Sequence, residues 1–98
     1  MSKIIGFAIF DEAPEPYVEF EVTVRKRGDR KKTFGSTLKT YVVDVKDLRD
    51  VFNLDPKDSS SLFDYLKQFC DVECTVEPEI RYREGGTAVH EIVDVYFF

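Results

Sequence analysis

The chain has 98 residues, a formal net charge of −5, 43 % hydrophobic residues and 14 % aromatic residues. Those figures suit one domain around one core and exclude disordered and collagen-like chains. Charge is unevenly placed: residues 25–32 carry six cations and one anion (+5), whereas the other ninety carry eight cations and eighteen anions (−10), which argues against a general nucleic-acid coat but not against one local basic contact.

Met1-Ser2-Lys3 leads into the apolar run Ile4 to Phe10 with no secretory pattern, and that run is too short to cross a bilayer. Cys70 and Cys74 are the only cysteines. The expectation is a cytoplasmic protein with reduced thiols. Ile4 to Phe10 is apolar on both alternating faces, which suits a strand covered on both sides. Asp11 to Pro16 holds two prolines and three acids and reads as a loop.

Tyr17 to Lys26 is the clearest strand. Val18, Phe20, Val22 and Val24 alternate with Glu19, Glu21, Thr23 and Arg25, one buried face and one wet face. The chain then turns through Arg25-Lys26-Arg27-Gly28-Asp29-Arg30-Lys31-Lys32 and returns through Phe34 to about Val45. Pairing Arg27 with Lys31 gives a three-residue tip and puts Val24 opposite Phe34 and Phe20 opposite Leu38. That register keeps the most apolar area together locally.

Asp44 is placed to cap a short helix whose inner face is Leu48, Val51 and Phe52. Asn53-Leu54-Asp55-Pro56 breaks it. A second helix, capped by Asp58 or Ser59, is predicted to reach about Phe69, with Leu62, Phe63, Leu66 and Phe69 as its apolar stripe. The last segment reads as a second hairpin around Gly85-Gly86. Pairing Glu84 with Thr87 sets Tyr82 against Val89, Val76 against Val95 and Cys74 against Phe97. Two residues disturb that register. Glu91 falls on the apolar face, and Pro78 interrupts the first strand, where pairing is expected to kink or slip.

The fold class predicted is therefore α+β, a single domain over 1–98. An antiparallel sheet of about five strands, in the order β-β-β-α-α-β-β, carries one main helix on one face. Such a sheet can bend into a half-barrel around that helix.

The basic turn is the strongest candidate site. Six cations this close repel one another, so stability alone does not account for them. Arg25, Lys26, Arg27, Arg30, Lys31 and Lys32 suit an acidic or nucleic-acid-binding groove of another protein. They also suit a β-ribbon finger on phosphates, or a solvated tip that blocks edge aggregation. The turn carries no aromatic to stack on bases. At the opposite pole Asp11, Glu12 and Glu15 are expected to neighbour Asp44 and Asp47, making the molecule dipolar.

Glu77 and Asp94 face each other across the second hairpin. With Arg81 and His90 nearby they suggest a charge network and, more remotely, a divalent-metal site. His90 has no nucleophile at a recognisable spacing, and Cys70 and Cys74 read as buried hydrophobes. The chain contains no P-loop, dinucleotide fingerprint, HExxH or GxSxG motif. The functional expectation is a small non-catalytic binding protein without cofactor, in the style of inhibitors and adaptors, including those of phages and viruses. It engages another macromolecule, a protein first, through residues 25–32. The alternative is a nucleic-acid binder using the same hairpin. The hydrophobic C-terminal strand from Val93 to Phe98, placed at a sheet edge, offers a homodimer contact through strand addition.

Overall fold

The computed structural model describes residues 2–25, 36–53, 61–83 and 85–97. Strands β1 (Ser2–Phe10), β2 (Tyr17–Arg25) and β3 (Ser36–Asp44) come first. A 3-10 turn (Val45–Asp47) leads into helix α1 (Leu48–Phe52), which is followed by α2 (Leu62–Lys67), β4 (Glu73–Tyr82) and β5 (Ala88–Phe97). The element order is the one predicted. The direction of one strand pairing differs: the sheet is mixed. Its order is β1-β2-β3-β5-β4, and β5 runs parallel to β3 with one register pair, Val42 with Glu91. β4 also returns to β1 through Ser2–Cys74 and Lys3–Glu73, so the order closes on itself. The first and last hairpins are joined by a helical connection, and that crossover lets β5 lie parallel to β3 where a further hairpin would have made it antiparallel.

Two bulges set which residues reach the core. In β1, Ile4 pairs with Val22 and Gly6 with Glu21, leaving Ile5 as the extra residue. The phase shift lets Ile4 and Phe7, an odd number of residues apart, both face inward, while Ile5 is exposed. In the second hairpin, Cys74–Phe97, Val76–Val95 and Glu77–Asp94 pair as predicted. The register then slips at Pro78, as its missing donor demands, and Val93 becomes the extra residue.

Beyond the slip, Tyr82 meets Ala88 rather than Val89, and Ile80 meets His90. The turn lengthens by one residue to match. Arg83 N donates to Thr87 O at 2.8 Å, so Thr87 pairs with Arg83 rather than with the predicted Glu84. Gly85 (φ 87°) and Gly86 (φ 82°) occupy left-handed conformations that glycine adopts without strain. The slip moves Glu91 off the inner face and puts Ile92, 1 % exposed, in its place. Tyr82, expected on the apolar face, is 76 % exposed, and Ile80 is 55 % exposed.

The first hairpin corrects the predicted register by three residues. Val18 pairs with Val43, Phe20 with Tyr41, Val22 with Lys39 and Val24 with Thr37. An odd shift exchanges the faces of β3. Tyr41 and Val43 therefore enter the core, while Leu38, the predicted partner of Phe20, is 61 % exposed. The predicted tip itself lies outside the described residues.

Inside, Val18, Phe20 and Val22 of β2 meet Ile4, Tyr41, Val43, Ile92 and Val95. Leu48, Val51 and Phe52 of α1 are buried as predicted, and α1 packs on β5. Asn53 ends α1 in the left-handed region (φ 59°) that asparagine tolerates. The predicted caps Asp58 and Ser59 lie outside the described residues. Ser61 is the cap observed for α2, its Oγ accepting from Asp64 N at 3.1 Å. Of the predicted stripe, Leu66 and Phe69 are buried and Leu62 is half-buried. Phe63 instead lies 55 % exposed with its ring 5.3 Å from Phe7, and Tyr65 takes the core position. Phe52, Phe69 and Phe97 stack in sequence, with centroids 4.5 and 5.3 Å apart, fastening the end of β5 to the helices. β5 lies between β3 and β4 in the sheet order, not at its end.

Candidate functional site: an arginine hub beside an acidic groove

The sequence-predicted binding residues divide at the end of β2. Arg25 is the last residue of that strand and pairs with Ser36. Lys26, Arg27, Arg30, Lys31 and Lys32 lie outside the described residues.

The other pole is described in full. The loop before β2 and the end of β3 meet there: Tyr17 pairs with Asp44, and Val45 N donates to Pro16 O at 2.9 Å. This is the predicted acidic pole, but a cation sits in it. Arg83, at the tip of the second hairpin, donates to Asp44 Oδ1 at 2.9 Å. The same guanidinium lies 3.8 Å from Glu91 Oε2 and 3.9 Å from Glu15 Oε2. It also stands 6.0 Å from the Tyr17 ring centre, and Phe10 stacks on that ring at 4.9 Å. Asp44 precedes the 3-10 turn as the sequence suggested, but its carboxylate makes no cap hydrogen bond; it is turned to Arg83. The hydrogen bond that Arg83 donates to Asp44 raises the Arg83 pKa further, against the lowering effect of burial. Arg83 is charged at any physiological pH.

Arg81 extends the hub, 3.7 Å from Glu91 Oε1 and 3.5 Å from Glu79 Oε2. Two guanidiniums thus serve a larger number of acids. Glu15, Asp44, Glu79 and Glu91 pair with them, Glu19 lines the same groove as Arg83, and Asp47 and Asp50 line a smaller recess with Arg81 and Glu91. Glu91 is the strained member. Burial raises its pKa first of all; Asp44 and Asp47 push the same way, while Arg81 and Arg83 only partly oppose them.

A carboxyl held above its ordinary range binds its proton more tightly when folded. Ionised Glu91 therefore subtracts from stability, fully so above its folded pKa and less as pH falls towards the ordinary carboxylate range. Glu91→Gln is expected to be neutral or stabilising at pH 7, by up to about 1 kcal/mol. Its advantage over wild type should shrink between about pH 7 and 4.5 in urea unfolding. A constant offset across that range would remove Glu91 as the titrating group.

A groove of about 530 Å³ opens beside the hub. Val42, Val89, Ala13 and Pro14 supply apolar walls, and Tyr17, Glu15, Glu19 and Arg83 the polar ones. Val42 and Glu19 share the outer face of β2 and β3, opposite the core. No family model, curated protein or solved structure matches this chain. The groove's chemistry therefore rests on its own residues.

The second predicted cluster is rearranged. Glu77 and Asp94 do face each other, but Asp94 accepts from its own strand, from Val95 N at 3.1 Å and from the Tyr96 hydroxyl at 2.9 Å. His90 sits opposite Ile80 rather than Arg81, its ring 6.2 Å from Tyr41 in an edge contact. Among the described residues no group of three or more His, Cys, Asp or Glu side chains is placed to hold a metal ion. Cys74 is buried and Cys70 half-buried, both are free thiols, and burial is the main cause raising both pKa values. They are protonated and unreactive near neutral pH.

Sequence reasoning flagged Glu91 as out of place on an apolar face. It missed Arg83, whose partner Asp44 is 39 residues away. No local signal marks that contact.

Proposed function

We propose that this is a non-catalytic binding protein that engages another protein through the basic segment 25–32. The observation that carries the reading is the segregation of charge along one ribbon. β2 and β3 pair without interruption from Tyr17–Asp44 to Arg25–Ser36. One end of the ribbon leads into a segment whose eight residues hold six of the fourteen Lys and Arg. The other end holds Glu15, Glu19 and Asp44, with Arg83 already bound among them. A basic end with an acidic body suits a partner presenting an acidic face, since the body repels phosphate and the end attracts carboxylates.

The test is capture of partners from the natural host lysate by wild type and by a variant with Arg25, Lys26, Arg27, Arg30, Lys31 and Lys32 changed to Gln. Wild type should retain a protein that the variant loses. Retention of every partner by the variant would remove the segment from function. Binding of generic duplex or single-stranded nucleic acid at about 50 mM salt, steeply salt-dependent and lost in the variant, would replace the protein partner with a phosphate backbone.

A further inference from the structure

We propose that the groove beside Arg83 docks the basic segment 25–32 of a second copy of this chain. The site is distinct from the segment assigned above, and the proposal does not depend on that assignment.

The groove selects a cation. Its one positive side chain, Arg83, is committed to Asp44 at 2.9 Å and lies within 4 Å of Glu91 and Glu15. An incoming anion would meet those three carboxylates and Glu19 as well. An incoming Lys or Arg finds Glu15, exposed, and Glu19, half-buried; among the described residues neither has a hydrogen-bonded cation, and Glu15 is paired with Arg83 at 3.9 Å. The walls fit the rest of such a side chain. Val42, Val89, Ala13 and Pro14 present apolar surface to an aliphatic stem, while the charged head stays at the rim with the carboxylates.

Charge complementarity names the occupant. Arg25 to Lys32 carries +5, against −10 on the remainder of the chain. The groove and the segment lie at opposite ends of β2, Tyr17 at one and Arg25 at the other. Eight strand steps span roughly 27 Å. A connection of ten residues tethered at Arg25 and Ser36 extends at most roughly 19 Å from its anchors. Glu19 and Val42, six steps from Arg25 and Ser36, lie roughly 20 Å away at the near rim, but Glu15, on the loop beyond Tyr17, lies past the segment's reach, so a contact that fills the groove is between molecules. It is head-to-tail, and a head-to-tail contact leaves a free groove and a free segment at the two ends of every assembly.

Sedimentation velocity on the full chain tests this. Wild type should associate as concentration rises at about 20 mM salt and at least fivefold less at about 500 mM, where charges are screened. A groove variant, Glu15→Lys with Glu19→Lys, should be monomeric. So should a segment variant with Lys26, Arg27, Arg30, Lys31 and Lys32 changed to Gln. Mixed together, the two should form a 1:1 dimer and nothing larger, because one intact groove meets one intact segment. Glu73→Lys with Glu77→Lys, the same charge change on exposed positions of β4, should associate like wild type.

Should the groove reversal fail to fold by circular dichroism, Glu15→Gln with Glu19→Gln takes its place. The second readout is a synthetic peptide of residues 25–32 titrated into the segment variant, shifting the amide resonances of Tyr17, Glu19, Val42 and Val89. A wild type that stays monomeric at low salt, a mixture that does not pair, or resonances that move with phosphate and not with the peptide would each overturn the proposal. Retention of every lysate partner by the segment variant, together with its loss of self-association, would overturn the proposed function and leave this contact standing.

Discussion

Arg83→Ala is expected to lower stability by about 2–4 kcal/mol, measured by urea unfolding at pH 7. Exposed ion pairs seldom contribute more than about 1 kcal/mol. This one differs because its acids are buried: the Asp44 and Glu91 side chains are each 10 % exposed, and Arg83 itself is 28 % exposed. Removing the guanidinium leaves Asp44 without its hydrogen bond and Glu91 with Arg81 alone. Partial exposure of Arg83 brings the loss to the lower part of the range for a broken buried pair. The position magnifies it, since Arg83 joins the second hairpin to the end of β3 where β3 and β5 share one register pair.

Arg83→Lys should fall between the two. An ammonium keeps the charge but cannot reach three carboxylates in a fork. Acidification separates the electrostatic cause from lost packing. In Arg83→Ala the pKa of Glu91 rises further, so the deficit relative to wild type should narrow as pH falls below about 6. A loss under about 0.5 kcal/mol, flat with pH, would reduce the hub to an ordinary surface cluster.

The parts of this fold legible in the sequence were those decided locally. Strict alternation marked β2, the i, i+3, i+4 spacing of Leu48, Val51 and Phe52 marked α1, and Pro78 marked the slip in the second hairpin. The misread parts were decided by neighbours distant in the chain. Pairing Phe20 with Leu38 maximises apolar contact within one hairpin, but β3 has to turn a face to α1, β5 and β1 as well. Tyr41 and Val43 fill that space, and the whole register follows them. The bulge at Ile5 shifts phase by one residue, with only the neighbouring Gly6 to mark it. α2 is rotated so that Tyr65 enters the core and Phe63 packs on Phe7. The site shows the same division. Glu91 stood out as a charge in an apolar pattern, whereas Arg83 looked like any hairpin cation until the fold brought Asp44 to it. The predicted basic residues after Arg25 lie beyond what the described residues can place.

Phe20→Ala is expected to cost about 3–5 kcal/mol, most of the roughly 5–10 kcal/mol available to a domain of this length. Phe20 is fully buried. It pairs with Phe7 on one side and Tyr41 on the other, and its ring lies 5.5 Å from Phe52. Three strands and α1 therefore line the cavity left by truncation, and strands held in register on both sides cannot close over it. A fall in Tm above roughly 15 °C follows for a domain of this size. Leu38→Ala is the informative companion. Had Leu38 been the inward partner of Phe20, its truncation would cost about 2–5 kcal/mol. On the observed register it is 61 % exposed, opposite Thr23, and its loss should stay within about 0.5 kcal/mol. Equal destabilisation by the two substitutions would mean that β3 turns its other face inward. Val42 would then leave the outer wall of the groove, and the cation site beside Arg83 would lose its apolar floor.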